Sequence, residues 1–212
     1  MKTLSIRPIS IALGLTAASI GVRAEAPSKA SAAAAFGTIY KVLQSPRCVN
    51  CHIKGDSPLQ GDAGTPHTQN VVRGPEGKGV PGLACTDCHG AANVPASYGP
   101  AMPPGAPGWH LPPPEMKMVF QLVSKRDLCA SLKDPKRNGG RTLEAIASHL
   151  ESDPLVLWGW SPGEGRGPVP IAHDELVNAV KAWIGGGAPC PATGEATALP
   201  KSAEGSQTAS PN

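Results

Sequence analysis

The sequence predicts a small, mostly α-helical domain with long Pro- and Gly-rich loops, on three observations. The chain has 212 residues, room for one domain and two at most. Apolar residues recur with a helical period in several segments, each ended by breakers. Gly 25 and Pro 24 make 49 of the 212 residues while aromatic residues are only 4%, so a thin core is strung on many turns. The breakers lie between apolar runs and form no Gly-X-Y repeat, which argues against both collagen and wholesale disorder. Something other than aromatic side chains must fill the middle.

The elements follow in chain order. Met1 to Ala24 reads as a secretory signal peptide (1–24), with Lys2 and Arg7 as its basic start and Ile9 to Val22 as its apolar stretch. Val22-Arg23-Ala24 or Ala24-Glu25-Ala26 supplies the small-residue cleavage site. Residues 25–47 form an N-terminal unit whose helix, over 31–44, carries Phe36, Ile39, Tyr40 and Leu43 on one face. Residues 48–191 form the main domain. Within it, 53–84 has no long periodic run and reads as an irregular loop, and 95–114 holds eight prolines that dictate extended or turn backbone. Glu115 to Val123 reads as a helix with Met116, Val119, Phe120 and Val123 on one stripe and Met118 exposed opposite. Ser124, with Asp127 three residues on, caps a short helix through Leu132. Thr142 caps another, with Leu143, Ile146, Ala147 and Leu150 facing inward, and a last helix over 173–184 stops at Gly185-Gly186-Gly187. Residues 192–212, rich in Ala, Thr, Ser, Gly and Pro, read as a disordered tail. Lys133 to Arg141 reads as a solvated turn, with steering of an acidic partner as the alternative. Asp153 to Trp160 reads as core packing, the alternatives being a cofactor wall or a docking patch.

Charge excludes one class of partner. Cutting after Ala24 removes Lys2, Arg7 and Arg23, leaving 19 − 3 = 16 basic residues against 16 acidic ones, so nucleic-acid binding has no compositional support. No segment after the signal approaches the run of about 18 apolar residues that a membrane span needs. The expected protein is exported to the periplasm, an oxidising compartment.

Six cysteines sit at 48, 51, 85, 88, 129 and 190, and four of them fall into two identical patterns, Cys48-Val49-Asn50-Cys51-His52 and Cys85-Thr86-Asp87-Cys88-His89. Cys-x-x-Cys-His is the attachment signature of c-type haem. Two thiols at i and i+3 on one turn meet the two vinyl groups, and the adjacent His reaches the iron as a strong axial donor. A redox dithiol would call for a βαβ context, which neither copy has. One zinc site would have to span the 33 residues from 52 to 84 and leave the two histidines unexplained. Two covalently attached haems c are therefore expected, on Cys48, Cys51 and His52 and on Cys85, Cys88 and His89, and two large apolar macrocycles would nucleate the thin core. The motifs start only 37 residues apart, so the haems must share one core. Close haems favour wiring over catalysis.

Cys129 and Cys190 are left over. A disulfide between them would close a loop of about 60 residues and contribute roughly 3–4 kcal/mol; two unpaired thiols are the alternative. Each iron needs a sixth ligand. His149 lies about 100° round its helix from the apolar stripe and reads as a surface residue; His173, at a helix start, reads as a cap-region residue. His67, in Thr65-Pro66-His67, and His110, in Gly108-Trp109-His110-Leu111-Pro112, occupy rigid loops beside the motifs and are the expected distal pair. Met116 or Met102 on one iron is the alternative, as is a role for either histidine as an ordinary loop residue.

The run from Cys48 to Pro191 resembles the small exported family labelled "isoquinoline 1-oxidoreductase subunit". The resemblance is carried by Cys48-Val49-Asn50-Cys51-His52, Pro66-His67, the block from Pro103 to Pro113 (Pro-Pro-Gly-Ala-Pro-Gly-Trp-His-Leu-Pro-Pro), Asp153-Pro154-Leu155-Val156-Leu157-Trp158-Gly159-Trp160 and Gly187-Ala188-Pro189-Cys190-Pro191. It implies a two-haem c-type cytochrome with a cytochrome c-like domain that transfers electrons for a molybdenum hydroxylase. Isoquinoline itself is supported by no residue. The expected function is that of an electron carrier or oxidoreductase subunit, with an exported dehydrogenase or molybdenum hydroxylase as donor and a cytochrome or oxidase as acceptor. A haem peroxidase or gas-binding sensor with one open iron is the alternative.

Overall fold

The structure, a computed structural model, describes residues 27–100 and 102–192. The signal peptide expected over 1–24 and all but the first residue of the expected tail lie outside the described residues. What is described is mostly helical, as the periodicity predicts. Helix α1, Lys29–Leu43, begins where the Ser28 hydroxyl accepts the Ser31 amide at 3.1 Å, and it buries Ala32, Phe36, Ile39, Tyr40, Val42 and Leu43. Helix α2, Pro46–Val49, starts on a proline and carries the first cysteine of the first motif. Ser124 caps α3, Lys125–Lys133, by accepting the Asp127 amide at 3.1 Å. Thr142 does the same for α4, Leu143–Ser152, through the Ala145 amide. Asp153 caps α5, Pro154–Leu157, and α6, His173–Gly185, opens with Asp174 and Glu175 in its first turn, where the helix dipole favours acids.

These helices enclose one apolar cluster. Phe36 and Ile39 of α1, Leu128 and Leu132 of α3, Ile146 of α4, and Leu176, Val180 and Trp183 of α6 are all buried in it, and α1 and α6 pack along each other. Burial of a side chain of this size stabilises by about 1.5–3 kcal/mol. After α6, Gly187 and Ala188 adopt left-handed backbone, φ 85° and 48°, and fold the chain back as a strap. The Ala188 amide reaches the Trp183 carbonyl at 2.8 Å, the Trp183 indole donates to the Pro189 carbonyl at 3.0 Å, and Cys190 forms a disulfide with Cys129 of α3.

Residues 54–119 are built differently. Pro58 aside, only Ala106 and Leu111 are buried apolar side chains among the described residues of this stretch. The loop expected over 53–84 contains two short antiparallel ladders, β1 (Leu59–Gln60) with β2 (Thr65–Pro66) and β3 (Gly79–Val80) with β4 (Leu83–Ala84). In place of a core, the guanidinium of Arg73, 1% exposed, donates to the carbonyls of Ile53 at 3.4 Å, Gly55 at 3.1 Å and Pro112, and pairs with Asp56 at 3.4 Å. It nails the proline-rich loop to the segment after the first motif. The two segments also cross at Gly77, whose carbonyl accepts the Leu111 amide at 2.8 Å. Gly77 has φ 77°, and a Cβ there would lie 2.0 Å from the Leu111 oxygen. Gly77→Ala should therefore destabilise by about 2 kcal/mol or more, read as a lowered denaturation midpoint, and an unchanged midpoint would show that this crossing carries no stability.

The helix expected over Glu115 to Val123 is not formed. A single 3-10 turn, Pro114–Met116, is followed by irregular chain in which Met118 and Leu122 take φ 46° and 56°. Long-range partners override the apolar period here: the Phe120 and Gln121 amides donate to the His52 carbonyl at 2.9 and 3.2 Å. Met118, expected to be exposed, is consequently half-buried against the core. The turn after α3 is more than solvated chain, since buried Asn138 donates to the Leu132 and Arg141 carbonyls at 2.8 and 2.9 Å.

Candidate functional site

The two Cys-x-x-Cys-His pentapeptides fold alike. In each, the histidine amide donates to the first cysteine's carbonyl, His52 to Cys48 at 3.1 Å and His89 to Cys85 at 2.9 Å, so that both thiols and the imidazole leave a single turn. In each, Nδ1 of the histidine is held by a carbonyl from a distant irregular segment: Met118 at 2.8 Å for His52 and Pro104 at 2.7 Å for His89. In each, an aromatic ring lies flat on the imidazole. Phe120 covers His52 at 3.9 Å and 13°, and Trp109 covers His89 at 4.3 Å and 2°. A carbonyl on Nδ1 fixes the tautomer that leaves Nε2 as a lone-pair donor, the arrangement by which proteins orient a metal-bound imidazole.

The surroundings of the two turns differ. The first is packed against the helical core, with Ser45, Arg47 and Asn50 buried and Cys48 touching the apolar cluster. Burial pushes the Cys48 thiol up to about 11 and Cys51 up to about 12, and it lowers His52 to about 4. The second turn sits on the loops, with Cys85 half-buried, Cys88 exposed and His89 lowered by burial. Among the described residues no three His, Cys, Asp or Glu side chains converge as a metal cluster. The buried N–H of Arg47 Nε, beside Cys48 and Cys51, has no acceptor in the protein.

The remaining candidate ligands are distributed unequally. His67 is half-buried, with its ring centre 6.1 Å from that of His89 and Nδ1 bonded to the Thr68 carbonyl at 2.8 Å. His110 is exposed, its Nδ1 held by the Gly108 carbonyl of its own loop at 2.5 Å. Met102 is 37% exposed, and Met116 is half-buried off the helix expected for it. His173 bonds the Leu150 carbonyl through Nε2 at 2.9 Å and meets Trp160 edge-on, a structural role. His149, expected on the surface, is only 29% exposed in its side chain and is tied to Asp153. Trp158 meets Trp109 edge-on at 4.9 Å, so the Asp153 to Trp160 segment walls the second turn as well as packing on the core.

Sequence reasoning missed the aromatic covers and the carbonyl anchors. Trp109 immediately precedes His110 in the proline block, a signal that was there to be read. Phe120 and Met118 gave none, because the apparent helical period assigned Phe120 to the core and Met118 to the exposed side. Comparison of the chain with known protein families, with curated proteins and with solved structures finds no match in any of the three.

Proposed function

We propose that this chain is an exported, periplasmic two-haem c-type cytochrome that carries electrons from a dehydrogenase or molybdenum hydroxylase to a cytochrome or oxidase. The observation that carries the reading is the repetition of one construction at both turns: two reduced thiols, an imidazole held through Nδ1 by a carbonyl, and a flat aromatic cover. Thioether formation adds each S–H across a vinyl double bond, so it needs reduced thiols and no external oxidant. Residues 54–119 have too little apolar core of their own, and two macrocycles would supply it. The free Arg47 Nε–H suits the anionic edge of such a group.

A bound haem supplies one-electron exchange at iron, with a potential tuned by axial ligands, burial and nearby charge. The protein's part is to hold both Nε2 atoms in position and to exclude water from the first turn. His52 and His89 would be the proximal ligands. His67, whose ring centre lies 6.1 Å from that of His89, would be the distal ligand of the second iron.

The test is an absorption spectrum of the exported protein, oxidised and reduced, with covalent haem quantified per chain. Two low-spin haems that ignore carbon monoxide are expected. A high-spin haem that binds carbon monoxide would move the reading to a peroxidase or gas sensor, and a chain with no covalent haem would overturn it.

A further inference from the structure

We propose that Asn93 is the positioning residue of the second turn: through the peptide group between Pro104 and Gly105, its side-chain amide sets the donor strength of His89 and with it the potential of one haem. The inference rests on the two-haem reading and deepens it.

The partners of Asn93 leave its amide one orientation. Oδ1 accepts the Gly105 amide at 3.0 Å and the Trp158 indole N–H at 3.0 Å, and Nδ2 donates to the Ser161 carbonyl at 2.7 Å. A backbone or indole N–H only donates and a carbonyl only accepts, so the oxygen and nitrogen of the amide are not interchangeable. Gly163, at φ 85°, closes over the amide, and a Cβ there would lie 3.2 Å from Asn93 Cγ. One side chain thus ties the loop after the second motif to the proline block and to the turn after Trp160.

The link to His89 runs through a single peptide group. The Gly105 N–H held by Asn93 and the Pro104 carbonyl that accepts His89 Nδ1 at 2.7 Å are the two ends of one planar unit, and in a trans peptide they point in opposite directions. The result is a head-to-tail chain of hydrogen bonds. His89 Nδ1–H donates to Pro104, Gly105 N–H to Asn93, and Asn93 Nδ2–H to Ser161, every donor pointing away from the imidazole. Bonds aligned in this way polarise one another. Asn93 therefore makes the Pro104 oxygen a stronger acceptor, and a stronger acceptor on Nδ1 makes Nε2 a more basic ligand. The same Asn93 oxygen holds Trp158, which meets edge-on the Trp109 ring that lies flat on His89. The carbonyl on His52 comes from Met118, in a different segment, so the effect belongs to the second turn alone.

The experiment compares Asn93→Leu and Asn93→Asp in the haem-loaded protein by redox titration, electron paramagnetic resonance and the solvent exchange of the imidazole Nδ1 protons followed by NMR. Asn93→Leu keeps the size and removes all three hydrogen bonds. It is expected to retain two low-spin haems and to speed the exchange of one Nδ1 proton. One potential should rise by about a three- to tenfold change in the reduced-to-oxidised ratio, ~30–60 mV for one electron, while the other stays where it was. Asn93→Asp places an anionic acceptor on Gly105 N–H and should lower that same potential; it also serves as the test if Asn93→Leu fails to fold. Unchanged potentials in either variant, or shifts of the same sign in both, would overturn the assignment and leave the two-haem reading intact. Fewer than two covalent haems in the unaltered protein would instead overturn that reading.

Discussion

Serine at both Cys85 and Cys88 should give a folded chain with one covalent haem in place of two, while serine at both Cys48 and Cys51 should lose a haem and stability together. The asymmetry follows from burial. Cys85 and Cys88 lie on a loop turn that contributes nothing to the helical cluster, and Cys88 is exposed. Cys48 begins on α2, touches that cluster and is surrounded by buried Ser45, Arg47 and Asn50. A hydroxyl left there without a partner costs about 1–3 kcal/mol per site. Haem per chain by pyridine haemochrome, with a chemical denaturation midpoint for each variant, reads both effects. Equal haem loss with equal stability would show that the first turn is no more part of the core than the second.

Trp183→Ala should be the most destabilising single core change. The indole is 1% exposed, packs on Phe36 with ring centres 5.2 Å apart, and donates to the Pro189 carbonyl at 3.0 Å. Truncation of a buried aromatic costs about 3–5 kcal/mol. Cys129→Ser should cost about 4 kcal/mol on the loop-entropy estimate for a bridge with a sequence separation of 61. The two changes act on the same strap. The Lys133 ammonium donates to the Ala188 carbonyl at 2.8 Å and Arg126 to the Pro191 carbonyl at 3.1 Å, so a chain freed at one end of 188–191 is half released at the other. Equilibrium denaturation of the double variant should therefore show less than the sum of the single losses. A strictly additive result would mean that the indole and the bridge hold independent structures.

What was legible in the sequence divides along a physical line. The helices α1, α3, α4 and α6 were readable because period and cap are local: Ser124 with Asp127, Thr142 with Ala145, and the glycines after α6 act within a few residues. Glu115 to Val123 has an equally good period and is not a helix, because distant residues claim its backbone: His52 takes the Met118 carbonyl and the Phe120 and Gln121 amides, Gln44 the Phe120 carbonyl and Tyr40 the Val123 carbonyl. The sequence of Asp153 to Trp160 reads as core packing and not as a helix start; that the Asp153 carboxylate caps α5 and also meets His149 depends on how α5 leaves α4.

By itself the sequence determined the two Cys-x-x-Cys-His pentapeptides, the mostly helical class, the main helices and the six cysteines that a bridge and two turns could use. All of these are set by residue types at short spacing. Only the tertiary structure decided which carbonyl orients each imidazole, which ring covers it and that His67 stands beside His89. These relations join residues separated by long irregular stretches whose backbone is directed by buried Arg73 and by the crossing at Gly77, and no local period encodes where such stretches meet.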